Sequence, residues 1–171
     1  MTFILPTKFL FDIPFNRYYN RTIKGKEIKA VKKILNKFCK SFGVKIKKGE
    51  GWSAYPKSIT YPSKVENYND AGFMELINKY YPDVKASEFT WSLLHEIGHS
   101  VTWNNFSKKA WKNYYKTAPY EHNIEKYFII PQERVATDWA YNYIKNHPNK
   151  IKKLEAKLQK KLEKKGYTLY E

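Results

Sequence analysis

Ser87-Glu88-Phe89-Thr90-Trp91-Ser92-Leu93-Leu94-His95-Glu96-Ile97-Gly98-His99 is the stretch on which the reading of this chain turns. Its last five residues match H-E-x-x-H. Side chains four positions apart project from one face of a helix, so His95 and His99 can both address one metal ion. Glu96, one position after the first histidine, stands where a general base can reach a water on that ion. The local sequence favours the helix. Ser87 can cap it, and Glu88 falls in the first turn, near the positive end of the helix dipole. Phe89, Leu93, Leu94, Ile97 and Val101 surround the pattern with apolar side chains. A helix carrying two ordinary histidines and no metal is the plain alternative, and those apolar neighbours favour a buried metal-binding helix over it.

Two histidines do not complete a catalytic zinc site, which takes three protein ligands and keeps a fourth position for water. The extended pattern H-E-x-x-H-x-x-G-x-x-H fails, because its glycine position is Thr102 and its third histidine position is Asn105. A carboxylate on a later helix is the other solution. Glu133 lies 34 residues after His99 (133 minus 99), beyond a segment long enough to reverse direction. It sits in a first helical turn beside Ala136 and Ala140, small residues that let two helices approach closely. His122, Glu121, Glu125 and Asp138 are the alternatives. Asp138 can instead hold a ligating imidazole in place from behind, as carboxylates do in many metal sites. His122, or a tyrosine among Tyr120, Tyr127 and Tyr141, is a candidate to stabilise an oxyanion.

The chain has 171 residues, which suits a single domain over 1–171. With 42% hydrophobic and 18% aromatic residues it can build a core. Its one cysteine, Cys39, excludes an intrachain disulfide and a cysteine-based zinc site, and its apolar helical setting predicts a buried, inert thiol. The formal net charge of +16 admits association with polyanions, although no nucleic-acid-binding motif accompanies it. Residues 1–10 lack a basic leader and no apolar run approaches a membrane span, so a cytoplasmic protein of a bacterial or infected cell is expected, without signal peptide or membrane contact.

Taken in order, residues 1–20 form an aromatic-rich arm broken by Pro6 and Pro14. Residues 24–42 show the helical period through Ile28, Val31, Leu35 and Phe38, and Gly43 stops them. Val44 to Lys48 alternates as a strand does. Trp52 to Tyr61 predicts one or two strands, and Pro56 and Pro62 mark the segment around Ile59 as an edge able to pair with an extended peptide. Residues 63–69 form a polar loop. Helices are predicted over Asp70 to Tyr80, Ser87 to Asn104, Phe106 to Lys116 and Ile130 to Asn146, with 117–129 irregular. Asn149 to Lys165 is a basic helix stopped by Gly166. Its stripe of Ile151, Leu154, Leu158 and Leu162 fits packing on its own domain better than a zipper with a partner.

Phe89 to His99, followed by Glu133-x-x-Ala136-x-x-Trp139-Ala140, resembles the ImmA/IrrE-like zinc peptidases of bacteria, plasmids and phages over roughly residues 44–146. The ArdC-like antirestriction peptidases are a near neighbour in pattern. SprT-like proteins share H-E-x-x-H but expect a third histidine soon after it, and residues 100–121 hold none. The resemblance implies an α+β zincin-like domain with a small antiparallel sheet and several helices. It also implies Zn²⁺ held by His95, His99 and Glu133, Glu96 as base, and a protein or peptide substrate. The amino-terminal arm and the basic final helix lie outside the pattern. The second reading is a basic nucleic-acid-associated or virion protein that uses such a fold for binding.

Overall fold

The computed structural model describes residues 25–49, 52–62, 71–118, 123–164 and 166. Over these the chain runs α1 (Gly25–Lys40), β1 (Lys45–Gly49), β2 (Ser53–Tyr55), β3 (Ser58–Pro62), α2 (Ala71–Tyr80) and α3 (Glu88–Thr102). A 3-10 turn (Trp103–Asn105), α4 (Lys108–Thr117), α5 (Ile124–Phe128), α6 (Pro131–Asn146) and α7 (Pro148–Glu163) follow. The architecture is α+β, as expected. The arm over 1–20, the loop over 63–69, and Tyr120, Glu121 and His122 lie outside the described residues.

Each helix forms for a local reason. Gly43, at φ +69°, ends the turn that follows α1. Ser87 caps α3 by accepting a hydrogen bond from Thr90 N, and Ser107 does the same for α4 from Ala110 N. Pro131 and Pro148 occupy first-turn positions in α6 and α7, where the missing N–H costs nothing. The segment expected to be irregular contains α5, capped by Asn123.

The sheet corrects two expectations. It is mixed rather than antiparallel, with strand order β1-β3-β2: β1 pairs parallel with β3, and β2 pairs antiparallel with it. Ile59 therefore sits opposite Ile46 on one side and Ala54 on the other, in the central strand and not at an edge. The prolines misled because Pro56 serves a turn. Pro56 and Lys57 join β2 to β3, and Lys57 takes φ +62°, in the manner of a tight turn with proline leading. Pro62 closes β3 opposite Gly49.

The core gathers around α3. Trp91, Leu93, Leu94 and Ile97 are fully buried, each contributing about 1.5–3 kcal/mol relative to exposure. One flank of α3 lies on α6, and another lies on β2 and β3. Ser100 Oγ donates to Tyr55 O at 3.0 Å and ties the helix to β2. At the other end of α3, Glu155 of α7 accepts from Ser87 N (2.7 Å) and Ser87 Oγ (2.8 Å). Ile151, Leu154, Leu158 and Leu162 are buried, and α7 packs on α1, so the apolar stripe is used within the domain. A second, smaller aromatic cluster forms where Trp111, Tyr114 and Ala118 of the α4 region meet Trp103, Phe106 and Tyr127. No described helix is long and apolar enough to cross a membrane.

Candidate metal centre

Two helices build the site. His95 and His99, one turn apart, leave the face of α3 that lies against α6. Glu133 leaves the first turn of α6 toward them. Close approach is possible because Gly98 has no side chain: a Cβ there would lie 2.5 Å from the Ala136 carbonyl oxygen and 3.0 Å from Ala136 Cα. The small residues of both helices thus meet backbone to backbone at the level of the site.

His95, His99 and Glu133 are all buried, and their ligand atoms lie within 4.8 Å of one another. His95 Nε2 is 2.9 Å from Glu133 Oε2 and 3.1 Å from His99 Nε2, and His99 Nε2 is 3.3 Å from Glu133 Oε1. Four-coordinate zinc with bonds of about 2.0–2.1 Å sets neighbouring ligand atoms about 3.3–3.4 Å apart. The three separations, which involve both oxygens of Glu133, are close to that size.

The tautomer of His95 follows from its neighbours. Thr137 Oγ1 donates to the Glu133 backbone carbonyl at 2.8 Å, which leaves the hydroxyl a lone pair for His95 Nδ1 at 3.0 Å. His95 then carries its proton on Nδ1 and turns the Nε2 lone pair inward. Lone pairs of an imidazole and a carboxylate facing each other at 2.9 Å call for a cation between them. The donor set, two imidazoles and one carboxylate, suits a transition metal such as zinc.

Glu133 is 1% exposed. Burial pushes its carboxyl up, but the neighbouring imidazoles of His99 and His95 outweigh burial and hold it well below the usual carboxylate range. Tyr114 of α4 donates its hydroxyl to Glu133 Oε1. Burial, then the charge of Glu133, raises Tyr114 well above its ordinary value, as it does Tyr127 close by. Both phenols stay protonated and available as donors. Glu96 is buried and lies in the field of both His95 and Glu133. Burial is the main cause that pushes its carboxyl up, to about 8; His95 opposes the rise and Glu133 adds to it. Phe73 stands edge-on to His95 at 5.7 Å, and Trp111 lies 6.2 Å from His99, so aromatic rings bound the site on two sides.

The structure brings together His95, Glu96, His99 and Glu133. It does not bring Asp138 to them. That carboxylate binds the Tyr81 hydroxyl and pairs with Arg134 at 3.1 Å. Five residues past Glu133, it is turned about 140° around the helix, whereas Thr137, at one full turn, faces the imidazole. Thr137 therefore stands in the orienting position for which Asp138 was a candidate. Glu125 pairs with Lys79 at the surface (2.9 Å), and Tyr141 donates to Asp83 (3.1 Å), so neither belongs to the site. Tyr127 does lie beside Glu133. His122 falls outside the described residues. The four-residue step from Glu133 puts Thr137 on the same helix face, but the sequence assigns it no role at the site, and nothing in the sequence points to Tyr114. Compared with protein-family models, curated proteins and solved structures, the chain matches none.

Proposed function

We propose that this chain is a zinc-dependent metallopeptidase with a zincin-type catalytic domain. The observation that carries the proposal is the buried convergence of His95, His99 and Glu133, with Glu96 beside them and outside the donor set. A zinc ion held by these three residues supplies a Lewis acid that polarises a scissile carbonyl and acidifies water near neutrality. The chain's own residues do the rest. Glu96, pushed up to about 8 by burial, suits a group that takes a proton from the attacking water and hands it to the leaving amine. Thr137 fixes the tautomer of His95, and Tyr114 holds one oxygen of Glu133 so that the other can turn to the metal. Strand β2 lies at the sheet edge and is tied to α3 by Ser100. An extended peptide adding to its outer side runs alongside the helix that carries the histidines.

Glu96→Gln tests the proposal. The variant is expected to bind one zinc per chain as the wild type does and to cleave a peptide library roughly 10²–10⁴-fold more slowly. Wild-type protein that takes up no metal, or a Glu96→Gln variant of full activity, overturns it.

A further inference from the structure

Much of the positive charge among the described residues lies on three neighbouring elements. Among the described residues, α1, β1, α7 and the capping Lys164 carry fourteen exposed lysines and no arginine. The ion pairs that lysine or arginine makes among the described residues all lie elsewhere, at Lys79–Glu125, Lys145–Asp83 and Arg134–Asp138. The carboxylates of β1 and α7 offset little: Glu155 is buried against Ser87, and Glu163, which accepts from Gln159, is exposed. On α7, Lys150, Lys153, Lys157, Lys160 and Lys164 recur in steps of three and four, on the side away from the buried Ile151, Leu154, Leu158 and Leu162. At 1.5 Å per residue this stripe spans about 21 Å, with a charge every 5 Å or so. The adjoining helix α1 adds Lys33, Lys37 and Lys40 on one of its faces, and β1, beside α1, adds three more lysines.

We propose that this α1–β1–α7 face binds double-stranded nucleic acid through its phosphates, without reading sequence. The side chains decide the class of ligand. Lysine is a mobile point charge suited to phosphate oxygens, whereas bidentate reading of guanine falls mainly to arginine, which is missing here. Single-strand binders add aromatic platforms on which bases stack. The exposed large hydrophobic residues among those described are Tyr80, Val101 and Ile129, and none of them lies on these elements. The same fact disfavours an anionic bilayer, because an interfacial helix needs an apolar face to insert and that of α7 is used up in the core. The stripe is as long as about six base pairs. Since α1, β1 and α7 supply no residue to the metal site, this proposal stands or falls separately from the peptidase reading.

A labelled 24-base-pair duplex of random sequence, titrated with the full chain at several salt concentrations, tests it by fluorescence anisotropy. If the five lysines of the stripe each neutralise a phosphate, log affinity falls with log salt at a slope of about −4 to −5. Replacing Lys150, Lys153, Lys157 and Lys160 by Gln should flatten the slope by about 3 to 4 and weaken binding roughly a hundredfold at moderate salt. A variant with equal loss of charge at Lys108, Lys109, Lys112 and Lys116 of α4 should stay within about threefold of wild type. Should the α7 variant melt early, Lys33, Lys37 and Lys40→Gln carries the same test. Three results overturn the proposal: a slope shallower than about −2, equal weakening by the α4 set, or tighter binding to vesicles with anionic lipid than to the duplex.

Discussion

Gly98→Ala strikes the contact on which the whole site depends. The new methyl carbon would sit 2.5 Å from the Ala136 carbonyl oxygen, 3.0 Å from its Cα and 3.1 Å from its carbonyl carbon. All three are backbone atoms, so no side chain can swing aside. Ordinary contact begins near 3.4 Å, and α6 must retreat from α3 by roughly 0.9 Å at that point. Glu133 and Thr137 ride on the same turns of α6 and retreat with it. Metal–ligand distances hold to about ±0.2 Å, so the displacement is several times what the site accommodates. Disturbing even the residues behind the ligands costs ten- to hundredfold in affinity; moving a ligand should cost at least a hundredfold, about 2.7 kcal/mol at 1.36 kcal/mol per decade. The fold suffers less. Overpacking costs about 1–3 kcal/mol, and alanine returns up to about 1 kcal/mol through its helix propensity. At about 2–4 °C per kcal/mol for a chain of this size, the metal-free protein should melt only a few degrees lower. Competition against a chromophoric chelator gives the affinity, and a thermal melt of the metal-free protein gives the stability. A variant that binds zinc within threefold of wild type refutes the claim that this glycine sets the helix spacing.

Further expectations follow from the same geometry. Tyr114→Phe removes only the hydroxyl that holds Glu133 Oε1, and zinc affinity should drop ten- to hundredfold. Asp138→Asn, which touches none of the three ligands, should leave that affinity unchanged in the same chelator competition. Burial pushes the Cys39 thiol from 9.0 to about 12. A group raised on folding favours the fold while protonated, so its contribution is whole below about pH 9 and gone by about pH 12. Denaturant melts should therefore show wild type losing more stability than Cys39→Ala between pH 9 and 11. An equal loss in both proteins refutes that assignment.

The parts of the molecule that were readable beforehand are those fixed by periodicity. The four-residue spacing of His95 and His99 and the apolar residues around them predict both the helix and its burial. Glu133 was found because small Ala136 and Ala140 stand beside it, and Gly98 against Ala136 shows why smallness matters. The period puts Thr137 on the face of Glu133 but assigns it no role, and it says nothing of Tyr114, because a threonine and a tyrosine gain meaning only from what they face, and Tyr114 reaches Glu133 from a different helix. Asp138 was a candidate on chemistry, a carboxylate behind an imidazole, with its place off the Glu133 face counting against it, and that same helical geometry turns it to Tyr81 and Arg134. The sheet was misjudged at Pro56, since a proline beside a strand signals an edge and a tight turn equally well.

The bond between Glu155 and Ser87 joins residues 68 positions apart. Its partners are an amide and a hydroxyl at the very start of the helix that holds the histidines. While the chain emerges from the ribosome, those donors lack this acceptor until α7 has been made. The histidine helix is thus closed off late in synthesis, and its opening turn stays open to water until then. The lysine-studded surface of α7 accordingly belongs to the same folded unit as the histidine pair and is no detachable tail.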